Sequence, residues 1–205
     1  MAYKRWSDLV SLGNFKSLPG RLWDILYNHL YVLPGSREVW DDVIFPIIVK
    51  QTGAGKPTYS TWNTDYDALT WNVNDKASTE YQEFFHRGKE NQSGSVHLHW
   101  VTNGSDATDR YIKWEVKVTW APLDSVFPAS TTLTVETLIP ANTPANTHLI
   151  LSMGTILLTK IATHIKMSIK RIASTGTAPS WNPICEQAHI HVLCDSAGSA
   201  TIQAK

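Results

Sequence analysis

Two closely spaced pairs of histidines are the part of this sequence best suited to chemistry. His97 and His99 form one pair, His189 and His191 the other, and one residue separates the members of each pair. Because side chains alternate between the faces of a β-strand, both imidazoles of a pair would project from the same face. If the two strands were neighbours, the four rings could converge on a zinc, iron or nickel ion. Such a site in a β-barrel would suggest a metal-dependent cupin-like oxygenase or isomerase.

The acidic residues argue against such an enzyme. A cupin-type motif supplies a carboxylate ligand a few residues after its histidine pair, whereas the first acid after His99 is Asp106, in a predicted loop. After His191, Asp195 completes at best half of a set of two histidines and one carboxylate. We therefore expect the four imidazoles to lie on the outer face of a sheet or at a subunit interface, without a cofactor. The competing hypothesis is a structural metal ion held by these four histidines.

Other catalytic patterns are missing from the chain. There is no Gly-x-Ser-x-Gly nucleophile elbow, and in residues 53–57 a proline stands where a phosphate-binding loop needs a hydroxyl. Cys185 and Cys194 lie in apolar strand-like contexts, where a thiol usually behaves as a small buried hydrophobe. We therefore expect a protein that is not an enzyme.

Four aromatic residues in a polar stretch suggest a different kind of site. Tyr59, Trp62, Tyr66 and Trp71 lie among threonine, asparagine and aspartate, the composition from which carbohydrate-binding platforms are built. In the competing interpretation these residues anchor the core or a subunit interface, because Tyr and Trp suit places where an apolar body needs a polar tip. We favour the interface over the sugar.

The hydrophobic period indicates β-strands from residue 40 onward. In residues 111–121, apolar side chains occupy alternate positions and polar side chains occupy most of the others. Clusters of Gly, Pro and Asn separate this run from similar ones, and no helix is predicted between them. Residues 149–161 also fit a helical spacing, but we interpret them as strand and turn. The pattern predicts an all-β fold, an antiparallel jelly-roll-like β-sandwich over residues 40–205.

Residues 1–39 predict an N-terminal arm with a short helix over about residues 19–33. Ser17 can cap this helix, Pro19 is tolerated in its first turn, and Pro34 ends it. Its apolar stripe could pack on its own domain or dock on a neighbouring subunit. In the second case the residues that attach the arm are Leu22, Trp23, Leu26 and Leu30.

Composition excludes several classes of partner. The 205 residues include 18 basic and 18 acidic side chains, a balance that argues against binding nucleic acid or anionic membrane by bulk positive charge. No apolar run approaches the roughly 20 residues that span a bilayer, and the start does not resemble a secretory signal. With 2 cysteines, the chain suits a reducing compartment. Its 9 tryptophans indicate apolar surface buried against other chains.

Four short segments follow one another in a recognisable order. Residues 40–46 read W-D-D-V-I-F-P, 97–100 read H-L-H-W, 114–120 read W-E-V-K-V-T-W, and 190–199 read I-H-V-L-C-D-S-A-G-S. The series resembles a family of tailed-bacteriophage virion proteins with W-D-D-x-x-F-P, H-x-H-W, W-x-x-x-Y-x-W and I-H-Y-x-x-D-x-x-G-S motifs. A P-H-x-W-K-E-G segment of the family corresponds to residues 85–90 here, which read F-H-R-G-K-E. Phe85, Val118 and Val192 depart from the family, standing where it has Pro, Tyr and an aromatic residue.

The resemblance covers residues 40 to about 199 and implies a jelly-roll-like sandwich that oligomerises on the virion, with a trimer as the expected state. The implied positions are head decoration or fibre, neck, or tail, with capsid, portal, neck or tail proteins as partners. The family implies no catalytic residues. A virion module that binds a receptor or a host surface glycan is the alternative function.

Overall fold

The computed structural model of the chain describes residues 39–49, 54–84, 90–160 and 162–194. Within these ranges the chain forms 11 β-strands and no helix, which confirms the predicted all-β class. The described residues contain no helix that is long and apolar enough to cross a membrane. The predicted arm and helix, with Leu22, Trp23, Leu26 and Leu30, lie outside the described residues and stay a prediction.

The strands, numbered in chain order, are β1 (Val39–Ile48), β2 (Thr58–Trp62), β3 (Tyr66–Thr70), β4 (Lys76–Thr79), β5 (Gln82–Phe84), β6 (Gln92–Val101), β7 (Arg110–Ala121), β8 (Thr131–Ile139), β9 (His148–Leu158), β10 (Thr163–Ile172) and β11 (Ile184–Cys194).

The strands form two antiparallel layers, called sheet A and sheet B. Sheet A has the order β9, β6, β11, β1, and the hairpin of β2 and β3 joins it through a pair between Thr70 and Ile184. Sheet B has the order β8, β7, β10, with β4 and β5 each pairing with part of β10. Strand β1 belongs to both layers, because its last two residues, Ile47 and Ile48, pair with β4.

Alternate residues of both sheets fill the space between them. The buried set includes Val96, Leu98 and Trp100 on β6, Ile112, Trp114, Val116 and Val118 on β7, and Ile165, Met167 and Ile169 on β10. Each is an inward position of the period-two pattern, so the predicted sandwich is confirmed. Burying a large apolar side chain of this kind stabilises the fold by about 1.5–3 kcal/mol.

Strand β9 contains a β-bulge. Val96 pairs with Gly154 and His97 with Ser152, so Met153 is an extra residue on β9. Before the bulge the odd-numbered residues Leu151 and Met153 point inward, and after it the even-numbered residues Ile156 and Leu158 do. Gly154 adopts a φ of 128°, which residues with a side chain rarely adopt. The prediction of strand for this segment is confirmed.

Candidate functional site

A ladder of histidines covers the outer face of sheet A. Strands β6 and β11 are neighbours, and their register places His97 opposite His189. The rings of His99 and His189 stack with centroids 3.9 Å apart, and those of His97 and His191 with centroids 4.3 Å apart. The structure therefore brings together all four histidines of the two predicted pairs.

The ladder lies on the outside of the sandwich, and the space between the sheets is filled by apolar side chains. The two pairs share a face because the residue between the histidines of each pair, Leu98 or Ile190, points inward and is 0% exposed. Once these aliphatic side chains enter the core, the strand pleat turns the imidazoles outward.

A fifth histidine, His148 on β9, extends the ladder. Its Nε2 lies 2.9 Å from Nδ1 of His99, so one of these nitrogens donates a hydrogen bond and the other accepts it. At least one of the two rings is therefore neutral. Sequence reasoning missed His148 because it has no histidine partner nearby in the chain, and only the pairing of β9 with β6 places it beside His99.

The carboxylate of the cluster comes from β1. Asp42 lies opposite His191, with Oδ1 3.1 Å from His191 Nε2 and Oδ2 3.8 Å from His189 Nδ1. The acids that follow the two histidine pairs in the sequence are Asp106 and Asp195. Asp106 instead pairs with Arg110 at 3.2 Å, and Asp195 lies outside the described residues.

One signal in the sequence could have pointed to Asp42. It shares the outward face of β1 with Trp40 and Ile44, so it is an isolated carboxylate on an otherwise apolar strand face. The alternation along β1 does not show which strand lies beside it. The pairing of β1 with β11 spans most of the chain and is decided by the packing of the core.

Three imidazoles of the ladder, those of His97, His99 and His189, have a lowered pKa and so favour their neutral form. Burial lowers the pKa of His97, and the neighbouring His191 and His189 lower it further. Burial and the rings of His189 and His148 lower the pKa of His99 to about 4. Burial also lowers the pKa of His189, against the opposing effect of Asp42. Neutral imidazole is the form that binds metal ions.

Two ring nitrogens of the ladder have no hydrogen-bond partner. They are Nδ1 of His97 and Nδ1 of His189, both buried. His189 as a whole is 6% exposed, and its other nitrogen, Nε2, lies 3.3 Å from Nε2 of Gln187. Native proteins rarely leave buried polar atoms unpaired, so each such atom calls for an explanation.

Within the described ranges, one group of side chains has metal-ligand spacing. It consists of Asp42, His189 and His191, whose ligand atoms all lie within 4.8 Å of one another. Two imidazoles and one carboxylate are suitable ligands for zinc, iron, cobalt or nickel. The predicted set of four histidines therefore contributes two members to this group, and the third member is a residue that the prediction did not include.

A pocket of about 450 Å³ opens beside the ladder. Its walls combine aromatic rings with hydrogen-bonding groups, and they include Trp62, Tyr66, His99, His148, Glu186 and Gln187. Trp62 and Tyr66 face each other across the β2–β3 hairpin, and the indole Nε1 of Trp62 donates a hydrogen bond of 2.6 Å to Asn146. Two of the four aromatic residues predicted to act together are thus in one pocket.

The other two are elsewhere. Tyr59 is exposed, but the strand alternation of β2 points it to the face of the hairpin opposite Trp62. Trp71 is 0% exposed, so it anchors the core, as the competing interpretation allowed, and is not placed to contact a glycan or another subunit. Its ring meets Trp114 edge-on at 5.5 Å, and its Nε1 donates a hydrogen bond of 2.8 Å to the carbonyl oxygen of Cys185. An indole fits in the core because a backbone acceptor satisfies its N–H group there.

The basic side chains of the strands are segregated to one layer. In the described strands of sheet A, β1, β2, β3, β6, β9 and β11, there is no lysine or arginine. Strands β4, β7 and β10 of sheet B carry Lys76, Arg110, Lys113, Lys117, Lys166, Lys170 and Arg171. The chain has a net charge of zero, but its two sheets differ in their content of basic side chains.

Large apolar side chains surround the histidine ladder on the outer face of sheet A. Trp40, Ile44, Ile150 and Leu157 are each between 50% and 60% exposed. Isolated exposed apolar residues are common on protein surfaces, but several on one face without lysine or arginine are typical of a surface that contacts another molecule.

No protein-family model and no curated protein matches the chain. Solved structures with similar backbones include dimeric latent PorU from Porphyromonas gingivalis, 6% identical with a TM-score of 0.37 over 77% of this chain and 13% of that one. A structure of infectious bursal disease virus, Gt strain, is 11% identical with a TM-score of 0.35 over 77% of this chain and 32% of that one. The xylan-binding domain from CBM 22 is 8% identical with a TM-score of 0.33, over 77% and 88% of the two chains.

The chain thus spans less than a third of the length of the first two of these proteins, 13% and 32%. Virus structures and carbohydrate-binding modules both occur among the structural neighbours. Similarity this low assigns neither a family nor a function.

Proposed function

We propose that the protein is a non-enzymatic structural component of a bacteriophage particle that assembles with copies of itself through the outer face of sheet A. The observation that carries the assembly is the combination of exposed Trp40, Ile44, Ile150 and Leu157 with the absence of lysine and arginine from the described strands of that sheet. Interface cores are depleted of charged residues and enriched in large apolar and aromatic ones.

The occupant of this face is a second copy of the same chain. Pairing through sheet A leaves the lysine-rich outer face of sheet B in water, where like charges on neighbouring copies stay apart. The rings of His97, His99 and His189 can be buried at little electrostatic cost because their pKa values are lowered. The family resemblance adds the particle and the trimer: three copies around an axis, attached to the head, neck or tail by other virion proteins.

Molar mass in solution tests the assembly. The full chain should be a trimer by light scattering at both low and high salt, since apolar contacts are not screened by ions. Ile44→Glu and Ile150→Glu should convert it to monomer. Val126→Glu is the matched control, because Val126 is 91% exposed on the loop after β7, away from this face. A wild type that is monomeric at all concentrations, or a trimer that both face variants leave intact, contradicts the assembly.

The virion location needs a separate experiment. Purified particles from a host that produces this chain should contain it in a fixed ratio to the major capsid protein, measured by mass spectrometry after density-gradient purification. A chain that remains entirely in the lysate supernatant contradicts the proposal, whatever its oligomeric state.

A glycan-binding role is the second candidate, and the pocket beside the ladder favours it. Trp62 and Tyr66 offer apolar ring faces next to the hydrogen-bonding side chains of Glu186, Gln187 and His148. Sugars bind to this combination because their C–H faces stack on aromatic rings while their hydroxyl groups need donors and acceptors.

A glycan array tests this candidate with a built-in control. Trp62→Ala and Tyr66→Ala should each abolish binding of any glycan that the wild type retains. Tyr59→Ala should not, because Tyr59 lies on the opposite face of the same hairpin. Equal binding by all four proteins, or no binding by the wild type, contradicts a glycan site in this pocket.

A further inference from the structure

We infer that Asp42, His189 and His191 form a binding site for one divalent transition-metal ion on the outer face of sheet A. The site is built by one chain and does not depend on the proposed assembly. It differs from the set of four histidines predicted from the sequence, because the carboxylate of Asp42 takes part while His97 and His99 lie beside it as supporting rings.

Two distances between ligand atoms are close to the spacing that a small ion needs. Zinc binds nitrogen and carboxylate oxygen at about 2.0–2.2 Å, so two tetrahedral ligand atoms on one ion lie roughly 3.4 Å apart. His191 Nε2 is 3.1 Å from Asp42 Oδ1, and His189 Nδ1 is 3.8 Å from Asp42 Oδ2. The two distances bracket the expected value, each measured to a different oxygen of the Asp42 carboxylate, and the ligand atoms of the three residues all lie within 4.8 Å of one another.

An independent observation points into the same site. Nδ1 of His189 is buried and makes no hydrogen bond, although it is directed toward the carboxylate of Asp42. His189 is only 6% exposed, so water does not readily compensate this nitrogen. A buried polar atom without a partner costs about 1–3 kcal/mol. A metal ion between His189 and Asp42 would give the nitrogen its missing partner.

Neighbouring residues are placed to support the ligands. Gln187 has its side-chain amide beside His189 Nε2, at 3.3 Å. When the ion occupies Nδ1, Nε2 carries the proton. The Gln187 amide can then accept a hydrogen bond from Nε2 by turning its oxygen toward the ring, since the two amide orientations are nearly isosteric. The ring of His97 stacks on His191 at 4.3 Å and restricts its rotation.

The ligand types narrow the class of ion. Two imidazoles favour zinc, cobalt or nickel over magnesium and calcium, which prefer oxygen ligands. The side chains of Asp42 and His191 are 46% and 38% exposed, so the site opens to the outside of the sheet. Three protein ligands leave a coordination position on this open side for water or for a group of another molecule.

Zinc titration of the chelator-treated full chain tests the site. Isothermal titration calorimetry should give one Zn²⁺ per chain. Asp42→Asn and His191→Ala should each weaken binding by at least about 100-fold, since even residues that only support a ligand contribute about 10- to 100-fold to affinity. His148→Ala is the matched control: it removes another ladder histidine but no ligand, so its affinity should stay within about threefold of wild type.

A second measurement separates loss of a ligand from loss of the fold. Co²⁺ should give visible absorption bands with the wild type and with His148→Ala, but not with Asp42→Asn. Near-ultraviolet circular dichroism verifies each fold, and His191→Gln replaces His191→Ala if the latter fails this check. The inference is overturned if the wild type binds no Zn²⁺, if one ion is shared by three chains, or if His148→Ala loses as much affinity as Asp42→Asn.

Discussion

Asp42 and His191 lie directly opposite each other on β1 and β11, with the carboxylate Oδ1 3.1 Å from the imidazole Nε2. This contact joins two of the segments that carry the phage resemblance, residues 40–46 and 190–199. A third, residues 97–100, lies on β6, the other neighbour of β11. Parts of three motifs that are far apart in the chain thus lie on adjacent strands of sheet A.

The tryptophans of the predicted aromatic group should differ strongly in their contribution to stability. Trp71→Ala should lower the free energy of unfolding by about 3–5 kcal/mol, because it leaves a cavity beside Trp114 and an unpaired carbonyl at Cys185. Trp62→Ala should cost less than about 1 kcal/mol, since it removes one hydrogen bond on an exposed hairpin. Equilibrium urea unfolding at one fixed protein concentration measures both; equal losses would contradict the burial of Trp71.

Asp106 should give the fold a defined pH dependence. Burial raises the pKa of Asp106, but hydrogen bonds from Arg110 and Ser180 outweigh it and hold the pKa below its ordinary value of 3.8. The folded state thus favours the charged carboxylate. Its contribution is complete above the unfolded-state pKa and is lost as the pH falls through the lower folded-state pKa.

Asp106→Asn should therefore lower the Tm by roughly 3 °C at neutral pH, a shift expected for one charged hydrogen bond in a domain of this size. The difference between variant and wild type should shrink as the pH falls below 3.8. Thermal unfolding followed by circular dichroism over this pH series measures it. A difference that grows toward acid would show that the carboxylate is not held in its charged form.

Gly94 should tolerate no side chain. A Cβ atom at this position would lie 2.6 Å from Cγ2 of Ile190 and 3.2 Å from Cδ1 of Leu158. Gly94→Ala should cost about 1–3 kcal/mol through overpacking between β6, β9 and β11. Adding Ile190→Leu, which removes the clashing methyl group, should recover part of the loss in a double-mutant cycle measured by thermal unfolding. Strictly additive losses would argue that the clash is not the cause.

The two cysteines should be unreactive in the folded protein. Both are buried and neither forms a disulfide bond, and burial raises the pKa of the Cys185 thiol to about 12. Because the thiolate is the reactive form, a disulfide reagent at pH 8 should label no thiol of the native chain on the timescale in which it labels two in guanidinium. Rapid labelling of one thiol without denaturant would contradict the packing around Cys185.

The alternation of side chains was sufficient to predict the sandwich, because the pleat of a strand is local. Residues 111–121 already separate inward from outward positions, and the buried residues of β7 confirm them. For the same reason the sequence predicted that His97 and His99 share a face, and likewise His189 and His191. The bulge at Gly154 could not be predicted from the sequence, since it depends on the pairing of β9 with β6.

Which strands are neighbours was decided by the tertiary structure alone. The contact of β6 with β11, and of β11 with β1, places Asp42 and His148 in the ladder, although both are distant in sequence from the histidine pairs they join. Likewise, Trp71 and Trp62 have similar sequence surroundings, but only the first finds a ring and a carbonyl oxygen in the core. The alternation of side chains, and the face on which each one lies, follow from neighbouring residues in the chain. Which strands pair with one another follows from packing two whole sheets together.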